Sequence, residues 1–557
     1  MPDIRLNEYT QLVLTLIFNK ICNMRIFKYI IIAVSFTGLL TSCSDDFLDR
    51  QPQGSYVEET YYVSDAALEA ATAPLYNRCW FDYHERAIHL VGSVRANEHY
   101  NKYQDPQWGL NQVTALDGHL VKAWQGLYSV VVMSNSVIDA VQNKCSAEVS
   151  EKAKQTALGE ARLMRGVTYF YLLRIWGPVI LFENNQTIVD NPIQPRHTEA
   201  DIFQFIINDL KYASEALPES AAKGRATCWS AKAFLAKAYL ARSGWGNTER
   251  NESDLELARQ TALDVCINSG LQLLNDYADL FKYKQNNNQE SLLALQWVPN
   301  GSWYYCNTLY ADLCFGTEIT GGVNVWGGSD NIPMDMLRQY ERADTIRRNA
   351  TYFTKGSYYP YICIADGGYT FTGNWAKIKK GAIGGPDDDN DGYVKSMNSP
   401  LNTYLIRLAD CYLTLAEACL GNKPELTGGE GLEYFNKLRE RAGIPAKDRI
   451  TFDDIIRERR VEFAMEYVNW LDMVSWYKWQ PDKMMAYFNE QQRGIAAPLY
   501  KEPDGTMVFY EDSGNYQWSY PEITVTMNHD NVFLPYPEAD VIQNPLLNRN
   551  LEPQPYY

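Results

Sequence analysis

GEARLMRGVTYFYLLRIWGPVILF, residues Gly159 to Phe182, places aromatic and aliphatic side chains nearly all round a helix that Gly177-Pro178 closes. A helix apolar on most faces must be buried between others. The flanking sequence supplies them. Helical spacing recurs from Trp124 to Val141, with Leu127, Val130, Val131, Ser134, Val137 and Ile138 on one side, and helices are predicted at Glu199 to Leu217, Thr227 to Arg242 and Leu255 to Ser269. In the Thr227 helix, Ala231, Ala233, Ala236, Ala238 and Ala241 are small enough for close approach. Further upstream, Ser64 is an N-cap candidate for an alanine-rich segment that runs to about Trp80. The fold class expected is mainly α: a tetratricopeptide-like scaffold of helix pairs, with a large, loop-rich, mostly irregular region and few short strands.

Two stretches break the helical pattern. Cys79 to Trp108 mixes aromatics with Arg95, Asn97 and Asn101 and reads as an irregular surface segment. Leu292 to Pro400 holds Trp297, Trp303, Tyr304, Tyr305, Tyr310 and Trp326 among several glycines, without lasting helix or strand periodicity. A loop-borne binding surface tolerates that much glycine, and a packed helix does not. Exposed flat rings stack on the apolar faces of sugars while neighbouring amides bind hydroxyls. The candidate ligand residues are Trp303, Tyr304, Asn324 and Trp326, joined by Trp80, Asn97 and Tyr100 from the earlier stretch. Asp387, Asp389 and Asp391, followed by Gly392, match the first half of a calcium loop, although position twelve is Asn398 rather than a bidentate glutamate. His84, His89 and His99 have no recognised ligand spacing and read as structural or surface residues.

The block G-E-A-R-x-x-R, Y-F, R-x-W-G-x-V (Gly159, Glu160, Ala161, Arg162, Arg165, Tyr169, Phe170, Arg174, Trp176, Gly177, Val179) resembles the first signature of the SusD/RagB family of outer-membrane nutrient-binding lipoproteins. Three more blocks follow in the family's order: YLIRLADCYLTLAEACLG (Tyr404 to Gly421), LRERAGIP with IIRERRVEFAMEYVNWLDMVSW (Leu438 to Pro445, Ile455 to Trp476), and FLPYPEADVIQNPLLNRN (Phe533 to Asn550). Glu466-Tyr467-Val468-Asn469 departs from the usual E-G-x-R, and Arg549 stands where Gln is usual. At the other end, Arg25 and Lys28, an apolar run to Leu40, and Leu40-Thr41-Ser42-Cys43 resemble a lipoprotein signal and box. Cys43 is then the lipidated first mature residue, and Met24 the expected start. The expected division is a signal region at 1–42, a lipidated N-terminus with helical repeats at 43–290, and a C-terminal part at 291–557 with the loop-rich insert and closing helices. The resemblance implies a non-catalytic protein, lipid-anchored in the outer membrane and facing outward, that binds an oligo- or polysaccharide and delivers it to a SusC-type TonB-dependent transporter.

Charge and motif content narrow the alternatives. Removing 1–42 deletes Arg5, Lys20, Arg25 and Lys28 against Asp3 and Glu8, which moves the formal charge from -17 to -19. So acidic a chain repels nucleic acid. Of 11 cysteines, those beyond Cys22 and Cys43 form no CxxC pair and read as buried thiols. There is no GxSxG elbow, P-loop, HExxH or dinucleotide fingerprint. No cofactor is required, with calcium at the acidic loop a candidate. A glycoside hydrolase on a helical scaffold would draw on Glu458, Glu462 or Asp472, which also read as structural ion pairs. It remains an alternative, as does a scaffold that binds only protein.

Overall fold

The computed structural model describes residues 61–557 except 300, 396, 497–498, 502–506, 510–517, 521–522 and 524. The leader, Met24 and Cys43 lie outside the described residues. The first helix, α1 (Asp65–Thr72), is capped by the Ser64 hydroxyl, which accepts from the Ala67 N–H at 3.2 Å. It stops short of the expected Trp80. Pro74 removes a backbone donor, and two 3₁₀ turns, Ala73–Tyr76 and Arg78–Trp80, replace the helix.

The expected helix pairs then form. They are α2 (Gly118–Asn143), α3 (Glu151–Trp176), α4 (Glu199–Ala216), α5 (Cys228–Gly244) and α6 (Glu252–Asn268), each packed on the next. From Gly159 to its end nearly every residue of α3 is buried, as a helix apolar all round requires. Arg165 joins three helices: its guanidinium donates to both carboxylate oxygens of Asp209 on α4, at 2.7 and 2.8 Å, and to Asn135 on α2 at 2.7 Å. The five alanines of α5 are buried against α4 and α6. The array continues through α7 (Leu408–Leu420) and α8 (Glu430–Arg441), because α6 packs on α7 and α7 on α8. It closes with α9 (Phe452–Glu462), α10 (Asn469–Trp479) and α11 (Pro481–Glu490). Residues on both sides of position 290 enter one core, and Tyr62–Tyr557 form one compact unit.

Strands are few and short. The longest pair, β1 (Ser291–Leu295) with β2 (Thr403–Arg407), is antiparallel and brackets the loop-rich insert. The insert has a small core of its own, built on Tyr310, Phe353, Tyr359, Ile362, Phe371 and Val394. No helix among the described residues is long and apolar enough to cross a membrane.

Charges of α7, α8 and α9 meet in buried networks. Arg407 donates to Glu290 and Glu462, each at 2.7 Å, and to Glu466 at 2.8 Å. Arg441 also pairs with Glu462, and Arg347 reaches Glu458 at 2.5 Å and Glu462 at 3.1 Å. Alongside, Arg459 bridges Asp410 and Asp472, both at 2.7 Å, and Lys237 of α5 reaches the same two carboxylates. Burial by itself would raise the Glu462 pKa, but Arg441, Arg407 and Arg347 outweigh it and hold the carboxyl well below its usual range. Tyr467, at the departure from E-G-x-R, has φ +67, a conformation that glycine adopts without strain. Its carbonyl lies against Gly92, where a Cβ would come within 1.9 Å.

Candidate functional site

The stretch from Cys79 to Trp108 is not the surface segment expected: most of it is buried, and it contains two π-helical turns, Tyr83–Ala87 and Leu90–Val94. Each π turn inserts a residue into helical winding, a local irregularity that occurs often at functional sites. The first turn aims Glu85 and Arg86 outward, both half-buried. Glu85 accepts from the Trp303 indole N–H at 3.2 Å and from Lys122 of α2 at 2.6 Å. Arg86 uses all three guanidinium nitrogens: Nε donates to Asp105 at 2.9 Å, Nη1 to Asp312 at 2.8 Å and Nη2 to Gln104 at 3.2 Å.

Around this pair lies a group of exposed rings. Trp303 to Tyr305 form one 3₁₀ turn, in which Tyr304 is 51% and Tyr305 40% exposed. Tyr304 rests edge-on against Phe81, with the Arg78 guanidinium 5.0 Å from its ring centre. Trp326 is 43% exposed, and its N–H donates to the Ala311 carbonyl of the short helix Leu309–Leu313 at 2.7 Å. Only a glycine fits next to it, since a Cβ on Gly327 would lie 2.6 Å from the Leu313 backbone. Asn324, also exposed, precedes Trp326 on the same loop. Tyr103 is 71% exposed on the 101–105 loop, whose turn is held by Asn101 accepting from the N–H groups of Tyr103 and Gln104. Beneath, Asp312 is buried. Burial raises its carboxyl to about 7, with Arg86 opposing the rise and Asp330, Glu85 and Asp105 adding to it.

Three of the sequence candidates do not belong to this face. Trp80 is fully buried, and its indole donates to the Leu75 carbonyl at 2.8 Å. Asn97 is buried beside Asp335. Tyr100 pairs with Asn331 in a short antiparallel ladder, with its ring over Gly109. Trp303, Tyr304, Asn324 and Trp326 stand on the loop region expected of them. Tyr103 and Tyr305 were missed. For Tyr103 the signal was Asn101 to Pro106, a polar, proline-ended turn that marks a loop tip.

Asp387, Asp389 and Asp391 are exposed, and the last two flank the Lys284 ammonium. Between them Asp388 turns inward and accepts from three backbone N–H groups, those of Gly385, Cys363 and Ile364. The fold does not bring the three carboxylates together, and no group of three metal-ligating side chains occurs among the described residues. The histidines are buried: His84 hydrogen-bonds Thr403 at 2.8 Å, and His89 meets His99 at 3.3 Å. The described cysteines are free and mostly buried, and burial pushes the Cys79 thiol up to about 12. Glu458, Glu462 and Asp472 lie in the buried ion pairs described above. A cleft of about 820 Å³ opens elsewhere, over α2, between Trp124, Tyr128, Phe182 and Leu547. Its lining mixes aliphatic, aromatic and polar side chains, and the exposed rings are not among them.

Comparison with known proteins agrees with this architecture. Residues 271–557 match the model of the SusD family, and residues 46–240 match a model described as starch-binding associating with outer membrane. A SusD-like protein of Bacteroides ovatus is 61% identical over 545 residues, spanning 96% of this chain and 99% of the relative. A crystal structure with a xylogluco-oligosaccharide, also 61% identical, superposes with a TM-score of 0.83 over 88% of this chain and 99% of that one. A SusD-like carbohydrate binding protein from Bacteroides fragilis shares the fold at 19% identity, with a TM-score of 0.67 over 88% and 100% of the two chains. The chain belongs to the SusD family, a carbohydrate-binding family of mainly helical proteins.

Proposed function

We propose that this chain captures a glycan of the xyloglucan class at the cell surface and hands it to a SusC-type TonB-dependent transporter. The observation that carries this reading is the set of exposed rings, Tyr103, Tyr304, Tyr305 and Trp326, with the half-buried Trp303, arranged around Glu85 and Arg86. Rings of this kind stack on the apolar faces of consecutive β-linked glucose units, and Asn324 supplies hydrogen bonds to hydroxyls. The 61% identical structure that holds a xylogluco-oligosaccharide supports the choice of glycan. A lipid on Cys43 keeps the protein over the transporter mouth, which raises its effective concentration there. Capture of this kind makes and breaks no covalent bond and needs no cofactor.

Affinity electrophoresis of Ser44 to Tyr557 in gels containing xyloglucan, laminarin or starch, with a parallel assay for reducing ends, tests the reading. Retardation by xyloglucan without new reducing ends is expected. Protein-dependent reducing ends would overturn it in favour of a glycoside hydrolase. Co-purification of a barrel transporter with the membrane-anchored form, lost on Cys43→Ala, tests the delivery step.

A further inference from the structure

We infer that Arg86 is the positioning residue of the glycan face: its guanidinium fixes the 101–105 loop against the helix Leu309–Leu313 and so sets the spacing of Tyr103 and Trp326. The inference rests on the capture reading above. The two rings come from segments more than two hundred residues apart in sequence. The 101–105 loop reaches Arg86 through Gln104 and Asp105, and the Trp326 loop reaches it through the Ala311 carbonyl and the neighbouring Asp312. Each contact is short, and the two to carboxylates are charge-assisted. A lysine in place of Arg86 keeps the charge and three N–H donors on one atom, but lacks the planar fork that presents separate nitrogens to Asp105, Asp312 and Gln104.

The chemistry beneath the face makes the clamp necessary. Asp312, Asp105, Asp330 and Glu85 converge there, and among the described residues Arg86 is the cation paired with Asp312. The neighbouring groups serve the other carboxylates and not Asp312: His119 lies 3.5 Å from Asp105, His99 lies 3.3 Å from Asp330, Lys122 pairs with Glu85, and Lys377 donates to the Asp330 carbonyl and Asn331. Without Arg86 the bridge between Asp105 and Asp312 is gone, Asp312 takes up a proton, and nothing ties the loop to the short helix. The exposed rings remain, but their separation no longer matches a rigid glycan. Glu85 does the same for Trp303 through a single hydrogen bond.

The test is calorimetric titration of the soluble protein with xyloglucan oligosaccharides of increasing backbone length, for wild type, Arg86→Gln, Arg86→Lys and Asp105→Asn. Thermal melting of each variant is measured in parallel. A short oligosaccharide that covers one ring should bind Arg86→Gln as it binds wild type. One long enough to bridge both rings should bind about tenfold more weakly, since the second contact loses its effective concentration. Asp105→Asn removes the charge from the loop arm while Gln104 stays bonded, and should lose affinity for long ligands alone, by less than Arg86→Gln does. Equal binding by all variants at every length overturns the inference and leaves capture standing. A loss that is uniform across lengths, or one that follows melting temperature, also overturns it. Failure of the wild type to bind any of these glycans removes the capture reading and the inference together.

Discussion

Trp326 and Trp80 are the same residue type under opposite constraints, and substitution separates them. Removing the exposed Trp326 ring deletes a stacking surface and leaves the core untouched. Trp326→Ala should weaken xyloglucan binding by about 1.5 to 3 kcal/mol, the order of burying one large apolar side chain, with little change in melting. Trp80→Ala opens a cavity beside Tyr171, whose ring lies 6.0 Å away, and should cost about 3 to 5 kcal/mol of stability. Titration calorimetry and chemical denaturation on both variants decide the matter. A Trp80 variant that melts normally but loses ligand would return that residue to the binding face. From sequence alone the two tryptophans could not be told apart, because each stands in one of the two stretches that break the helical pattern. What distinguishes them is long-range packing: Trp80 lies edge-on to Tyr171 of α3, just before the π turns Tyr83–Ala87 and Leu90–Val94. A π turn leaves no compositional trace.

At the scale of elements, α7, α8 and α9 are held together by ion pairs rather than by aliphatic packing alone. The sign of the pH dependence follows. Glu462 and Asp410 are each held below their ordinary values: burial would raise them, but the surrounding Arg441, Arg407 and Arg347, and Arg459 and Lys237, outweigh it. A depressed carboxylate contributes stability that is fully present above its unfolded pKa and is lost as pH falls through the folded one. Stability should therefore be flat near neutrality and decline progressively from about pH 5 downward. Glu462→Gln should remove the carboxylate that Arg347, Arg407 and Arg441 have in common, with Glu290 still bridging Arg407 and Arg441, and cost about 3 to 5 kcal/mol at neutral pH. It should also flatten the acid limb. Denaturant melts from pH 7 to pH 3 on wild type and variant measure both effects, and an acid limb of unchanged slope would place the dependence on other carboxylates. Helix positions were legible in sequence where caps mark them: α4 to α6 begin and end within a few residues of the expected bounds, whereas α3 starts at Glu151, ahead of Gly159. The alanine-rich segment before Trp80 was not, because Pro74 lies inside a run whose composition still favours helix. The partners of each charge were also hidden, since Glu290, Arg347 and Arg407 come from segments far apart in the chain.

Across the whole molecule, the C-terminal segment acts on the N-terminal helices more than on its own neighbours in sequence. Leu534 donates to the Ile175 carbonyl at 2.9 Å, the Trp176 indole donates to Pro535 at 2.9 Å, and the Tyr536 hydroxyl donates to Pro178 at 2.5 Å. Tyr536 also lies edge-on to Trp124, so one residue closes the end of α3 and supports α2. Further on, Gln554 exchanges backbone hydrogen bonds with Arg196 and Thr198 at the start of α4. The last signature block is thus the lid of the first, which explains why the two appear together in one chain. Tyr536→Ala removes a ring from this junction and should cost about 3 to 5 kcal/mol. The position of the loss is the informative part. Hydrogen exchange should rise over the C-terminal turns of α3 and the facing turns of α2, hundreds of residues away, while α7 to α9 keep their protection. Exchange that rises only within 530–557 would mean that the segment is a passive tail, and that the helix pairs hold their shape without it.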